Sequence, residues 1–162
     1  MSIFDVGKMC TFSRISGVIL NNGEPVVGAK IIRETRYEKT FSDQTVTDES
    51  GHFEMPALFV RSIAKYLPQE FVVWQSMKIE VNGSEHEIWD AAKRSKEENS
   101  ESRGKPLIVT CELSDAKRII RVAGVSFITK CLWDVEEDEP LFSDGIYFDD
   151  QIEDESSKEA GQ

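Results

Sequence analysis

Two histidines and three cysteines are the residues in this 162-residue sequence whose chemistry would by itself single out a reactive site, and neither set has the required spacing. His52 stands beside a turn signal and His86 inside a strand-like run. Neither belongs to a HExxH pair, a nucleophile elbow or a Cys/His pattern. Cys10, Cys111 and Cys131 are odd in number, far apart and free of CxxC spacing. The expectation is therefore neither a zinc site nor a disulfide framework, but three small apolar packing residues. Asp48, Glu49 and Ser50 offer oxygen atoms, though not at EF-hand spacing, and Asp48 is better suited to capping a turn. The chain is expected to be no enzyme and to need no metal or cofactor.

Carboxylates are where the sequence departs from ordinary composition. The formal net charge is −11, and residues 134–162 carry twelve acids against the single base Lys158. Residues 1–133 hold 18 acids and 18 bases, so the chain reads as a neutral body (1–133) with an acidic tail (134–162). Leu141, Phe142, Ile146, Tyr147, Phe148 and Ile152 are interleaved with the tail's acids. Rings within an acidic field suit a segment that orders on a partner, the rings filling pockets while carboxylates meet Arg or Lys. Glu136, Glu137, Asp138, Phe142, Asp144, Tyr147, Phe148, Asp149 and Asp150 are the candidate partner-binding residues. The partner expected is a protein with a basic surface, and the same field argues against nucleic acid. Two plainer readings stand beside this one. The tail can serve only solubility, or residues 142–148 can fold back as a strand that covers a sheet edge. Asp149, Asp150, Glu153 and Asp154 could gather a divalent ion only weakly without a rigid scaffold.

The elements that must position these residues are mostly short strands. Residues 13–20 read as a strand, Asn21 to Pro25 as a turn, and residues 28–37 as a strand with one wet face. Residues 38–43 form a polar connection, 45–47 a short strand, 48–51 a turn, and 52–55 a strand with Phe53 and Met55 on one face. Leu58, Ile63 and Leu67 stand at near-helical spacing, so one short amphipathic helix is expected over 57–67. Asn82-Gly83 between FVVWQSMKIEV and SEHEIWDA predicts a hairpin with a type I′ turn. Residues 93–104, KRSKEENSESRG, contain nothing apolar and are expected to form a mobile loop. Later strands fall at 105–113, 119–122 and 124–133, and Trp133 is assigned to the core. Some eight short strands imply an antiparallel β-sandwich or barrel. The N-terminus lacks a signal-peptide pattern and no stretch approaches a membrane span, which gives a cytoplasmic expectation.

Residues 16–31, SGVILNNGEPVVGAKI, and 45–56, TVTDESGHFEMP, resemble the carboxypeptidase regulatory-like, transthyretin-like (prealbumin-like) domain. That resemblance implies an all-β transthyretin-like sandwich. In it Gly23 and Pro25 shape the first hairpin, Gly28 and Ala29 leave room for close strand approach, Asp48 caps the turn closed by Gly51, and Phe53 fills the core. Taken whole, the chain looks like a free-standing bacterial version of the domain, similar to small proteins found near genes for secreted antibacterial toxins. The resemblance thus implies an immunity protein that neutralises a cognate (type VI) secreted toxin. The alternative is an adaptor or scaffold of a secretion or assembly system that binds by strand pairing. A small-molecule or carbohydrate-binding module ranks last, for want of a row of surface aromatics.

Overall fold

The computed structural model describes residues 6–140, and they form an all-β fold. The strands are β1 (Lys8–Phe12), β2 (Ile15–Asn21), β3 (Glu24–Pro25), β4 (Lys30–Tyr37), β5 (Lys39–Val46), β6 (His52–Met55) and β7 (Leu58–Arg61). They continue with β8 (Val73–Val81), β9 (Ser84–Lys93), β10 (Leu107–Glu112), β11 (Arg118–Val122), β12 (Val125–Thr129) and β13 (Cys131–Trp133). One sheet runs β13-β10-β2-β3, with β6 also paired to β2; the other runs β11-β12-β9-β8-β4-β5. A small β1-β7 pair stands apart from both.

Alternation in the strands builds a sandwich core. Ile15, Ile19, Phe53, Met55, Leu107 and Val109 face Ile31, Met77, Ile79, Trp89 and Phe127 from the opposing sheet, all buried. Trp89, Phe127 and Trp133 stack with ring centroids 5.1–5.4 Å apart, within the favourable range for aromatic pairs. Trp133 packs partly buried against this core. A second cluster, Met9, Phe71 and Val73 with Tyr37 and Val60, fills the space beneath β1 and β7.

Turn chemistry matches the backbone. Asn22-Gly23 and Asn82-Gly83 both take positive φ, as a two-residue hairpin turn demands. Asp48 Oδ1 accepts from the amides of Ser50 and His52, each at 2.9 Å, and so caps its turn. Gly28 is needed for its φ of +70°, not for close approach, because open space surrounds the place where its Cβ would be. Close approach occurs at Gly17 instead: β10 lies parallel to β2, and a Cβ on Gly17 would meet the Val109 carbonyl oxygen at 1.9 Å.

Four expectations are corrected. No α-helix forms at 57–67: Leu58 to Arg61 alternate half-buried and exposed, pair with β1, and only a single 3-10 turn (Ile63–Tyr66) follows. Helical spacing there was incidental, because the partner strand β1 imposes a period of two. Of residues 38–43 only Glu38 is a connection, at a φ of +56°; residues 39–43 belong to β5, an edge strand among the described residues. Its polar residues suit a position paired on one side, and Asp43 reaches inward to the buried Arg33. The loop 93–104 buries Glu101 and Ser102 despite lacking apolar residues. Cys111 and Cys131 form a disulfide, since the β10–β13 register sets them directly opposite each other.

Candidate interaction surface

The corrected loop is held by a buried polar network. Ser13 Oγ donates to Glu101 Oε2 at 2.5 Å, and the Ser13 amide and Gln75 Nε2 donate to Oε1 at 3.3 and 3.1 Å. Trp89 Nε1 donates to Gln75 Oε1 at 3.1 Å, and Trp133 Nε1 donates to the Glu101 carbonyl at 3.1 Å. Lys93 Nζ donates to the carbonyls of Ser95 and Glu97 and to Ser100 Oγ, at 2.6–2.7 Å. Hydrogen bonds of this kind substitute for the missing apolar contacts, because a buried polar group is tolerated when its partners are in place. Cys10 lies beside the network, 3.7 Å from Ser13 Oγ. Burial pushes its thiol up to about 11, so it stays neutral and unreactive near neutral pH.

Beyond Trp133 the chain leaves one sheet edge and fastens to the other. The Asp138 amide donates to the Arg121 carbonyl of β11 at 2.8 Å. Asp138 Oδ1 accepts from the Ala123 amide and Oδ2 from the Gly124 amide, both at 2.7 Å, while Arg103 Nη2 stands 2.5 Å away and Arg121 Nε 3.7 Å. The Gly124 and Ala123 amides, reinforced by the Arg103 and Arg121 guanidinium groups, hold the Asp138 carboxyl below the usual carboxylate range. Arg103 Nε also donates to the Glu136 carbonyl at 2.8 Å.

The candidate partner-binding residues therefore divide. Asp138 spends its carboxylate on its own β11–β12 turn, whereas Glu136 and Glu137 are exposed at the root of the tail. Phe142, Asp144, Tyr147, Phe148, Asp149 and Asp150 lie outside the described residues. Among the described residues no three His, Cys, Asp or Glu side chains converge as metal ligands would. His52 sits exposed, its Nδ1 3.9 Å from Asp48 Oδ2, and among the described residues no helix is long and apolar enough to cross a membrane.

Sequence reasoning missed a cleft between the β4–β5 turn and β7. It encloses about 400 Å³ and is lined by Tyr37, Lys39, Phe41, Val60 and Arg61 among others. Phe41 is 51% exposed there although it points to the inner side of its sheet, opposite Thr35. Among the described residues neither Lys39 nor Arg61 has an ion-pair partner. The only sequence signal was the aromatic–basic mixture at Tyr37, Lys39 and Phe41, which reads equally well as a solvated turn.

Residues 15–116, well over half of the chain, match a family described as Domain of unknown function (DUF6795). The chain belongs to the DUF6795 family. Among curated proteins, none matches it. The DUF6795 segment opens with β2 and closes before β11, so it contains Gln75, Trp89 and Glu101 of the buried network and most of the cleft. Cys131, Asp138 and the acidic tail lie beyond its end.

Proposed function

We propose that this DUF6795 protein is a non-enzymatic, transthyretin-like binding module that neutralises a secreted bacterial toxin, its 134–162 segment meeting the toxin's basic surface. One observation carries the reading: the entire net charge of −11 resides on that terminal segment, while the body is neutral. Concentrated charge steers a cationic partner and raises its rate of encounter. The root of the segment supports this use, since Asp138 and the pairing of β13 with β10 fix where it leaves the sandwich. The polar groups of the interior support a binding role over catalysis, because Glu101, Gln75 and Lys93 are engaged with one another's loops and strands. A cytoplasmic site of action goes with this reading. It requires Cys111 and Cys131 to be reduced thiols there, since disulfides persist in oxidising compartments.

The test replaces Asp144, Asp149 and Asp150 by Asn in the full chain and measures association with a candidate toxin, together with survival of cells that express the toxin. The expected outcome is association slower by about tenfold at low salt and lost protection. Unchanged association and protection would end the proposal. A second reading, an adaptor that pairs strands, is favoured by β5, whose eight residues are, among the described residues, paired on the β4 side alone. Binding through β5 would change little with salt, which separates the two.

A further inference from the structure

The geometry points to a second role for the tail: its aromatic segment 146–148 docks in cis into the cleft between β5 and β7. This inference concerns the isolated chain and holds whether or not a toxin is the partner.

Position comes first. In the six-stranded sheet Arg36, Trp74 and Ala92 share one row, Val73 stands opposite Lys93, and Ala91 stands opposite Phe127. Extending those rows puts the Tyr37–Lys39 turn and the Ala123–Gly124 turn at the same end of the sandwich. Asp138 is clamped to that second turn, so the tail starts at the cleft's end of the molecule. Four strand spacings separate the two turns, about 20 Å. An extended chain covers about 3.3 Å per residue, so Ile146, Tyr147 and Phe148, six to eight residues beyond Pro140, come within reach.

Chemistry fits the same pairing. The cleft offers Tyr37, Phe41 and Val60 as an apolar floor, with Lys39 and Arg61 on its rim and one acid, Glu38, among its lining residues. Residues 141–162 carry seven acids and one base, and Asp149 and Asp150 directly follow Tyr147 and Phe148. Rings entering the cleft would therefore bring carboxylates to the rim cations. A tether this short keeps the local concentration of the tail in the millimolar range, so even a weak contact is populated. Docking there would withhold Tyr147 and Phe148 from other proteins until a partner with a stronger basic surface displaces them.

The test keeps the full chain and replaces Tyr147 with a benzophenone photo-crosslinking amino acid. After irradiation and trypsin digestion, the expected link joins the tail to peptide 37–39 or 40–61, or to the single peptide 37–65 when Lys39 and Arg61 are replaced, within one molecule and with a yield that does not change on dilution. Lys39→Glu with Arg61→Glu, both at exposed positions, should lower that yield by about fivefold or more, as should high salt. Lys30→Glu, at the opposite end of the sheet, should leave it unchanged. Links that map elsewhere on the body, links that form only between molecules and fade on dilution, or a yield indifferent to the double charge reversal would each overturn the inference.

Discussion

Two buried charged residues, Arg33 and Glu101, show how this sandwich tolerates polarity inside. Arg33 has no exposed side-chain surface, yet its Nε and Nη2 donate to the two oxygens of Asp43 at 2.9 and 2.6 Å, and Nη2 also reaches the Pro56 carbonyl. Its guanidinium lies 4.9 Å from the Phe12 ring centroid, a contact that suits a cation stripped of water. Glu101 instead relies on neutral donors, Ser13 and Gln75. Removing its carboxylate strands those donors in the interior, and an unsatisfied buried group is more damaging than a missing hydrogen bond. Glu101→Ala should therefore lower stability by about 3 kcal/mol, while Glu101→Gln, which keeps the shape and one acceptor, should lower it by about 1 kcal/mol. Urea unfolding midpoints check both values, and a Glu101→Ala variant as stable as the parent would show that the network is ornamental. Neither residue was marked by the sequence: Arg33 sat in an apparently wet strand and Glu101 in a run with no apolar residue at all. Burial of a polar side chain depends on partners far away in the chain, and Ser13 is 88 residues from Glu101.

At the scale of elements, Gly17 decides how the two halves of the smaller sheet meet. β2 runs beside β10 in parallel register, with Gly17 opposite Val109, and a side chain at Gly17 would collide with backbone rather than with a flexible tip. Gly17→Ala must push the strands apart over six paired positions and should destabilise by about 3 kcal/mol, at the upper end of overpacking effects. Thermal unfolding measures it; an unchanged midpoint would mean that β10 is not seated on β2 in this register. Strands with one face buried in the core were legible beforehand. β2, β6 and the β8–β9 hairpin followed from alternation and from Asn-Gly turns, because burial of one face imposes a period of two. β1, β7 and the 39–44 part of β5 were not legible, since an edge strand or a two-stranded pair needs little apolar pattern. The disulfide escaped for a related reason. Cys111 and Cys131 are neighbours only through the β10–β13 register, which spacing alone does not encode.

For the molecule as a whole, what matters is how a neutral sandwich presents an acidic segment. The segregation of charge was fully legible in the sequence, as was the all-β class; the fastening of the tail root was not. That root is tied twice, through the pairing of β13 with β10 and through the Asp138 carboxylate, and the second tie responds to pH. Asp138 is held below the usual carboxylate range in the folded protein, so its contribution is complete above the unfolded value of about 4 and is lost as pH falls through the lower folded value. The amide protons of Ala123 and Gly124, which both point at this carboxylate, report that loss directly. In an NMR titration their shifts should move together, with a shared midpoint below about 4. Asp138→Asn should flatten the titration and leave β13 in place, because its pairing with β10 still holds that strand. Should the two amides titrate apart, or at the midpoint of an ordinary surface carboxylate, the clamp would not be what directs the tail. Should they behave as expected, the tail's starting point is set by one carboxylate on one turn, and every contact made by the following residues is measured from there.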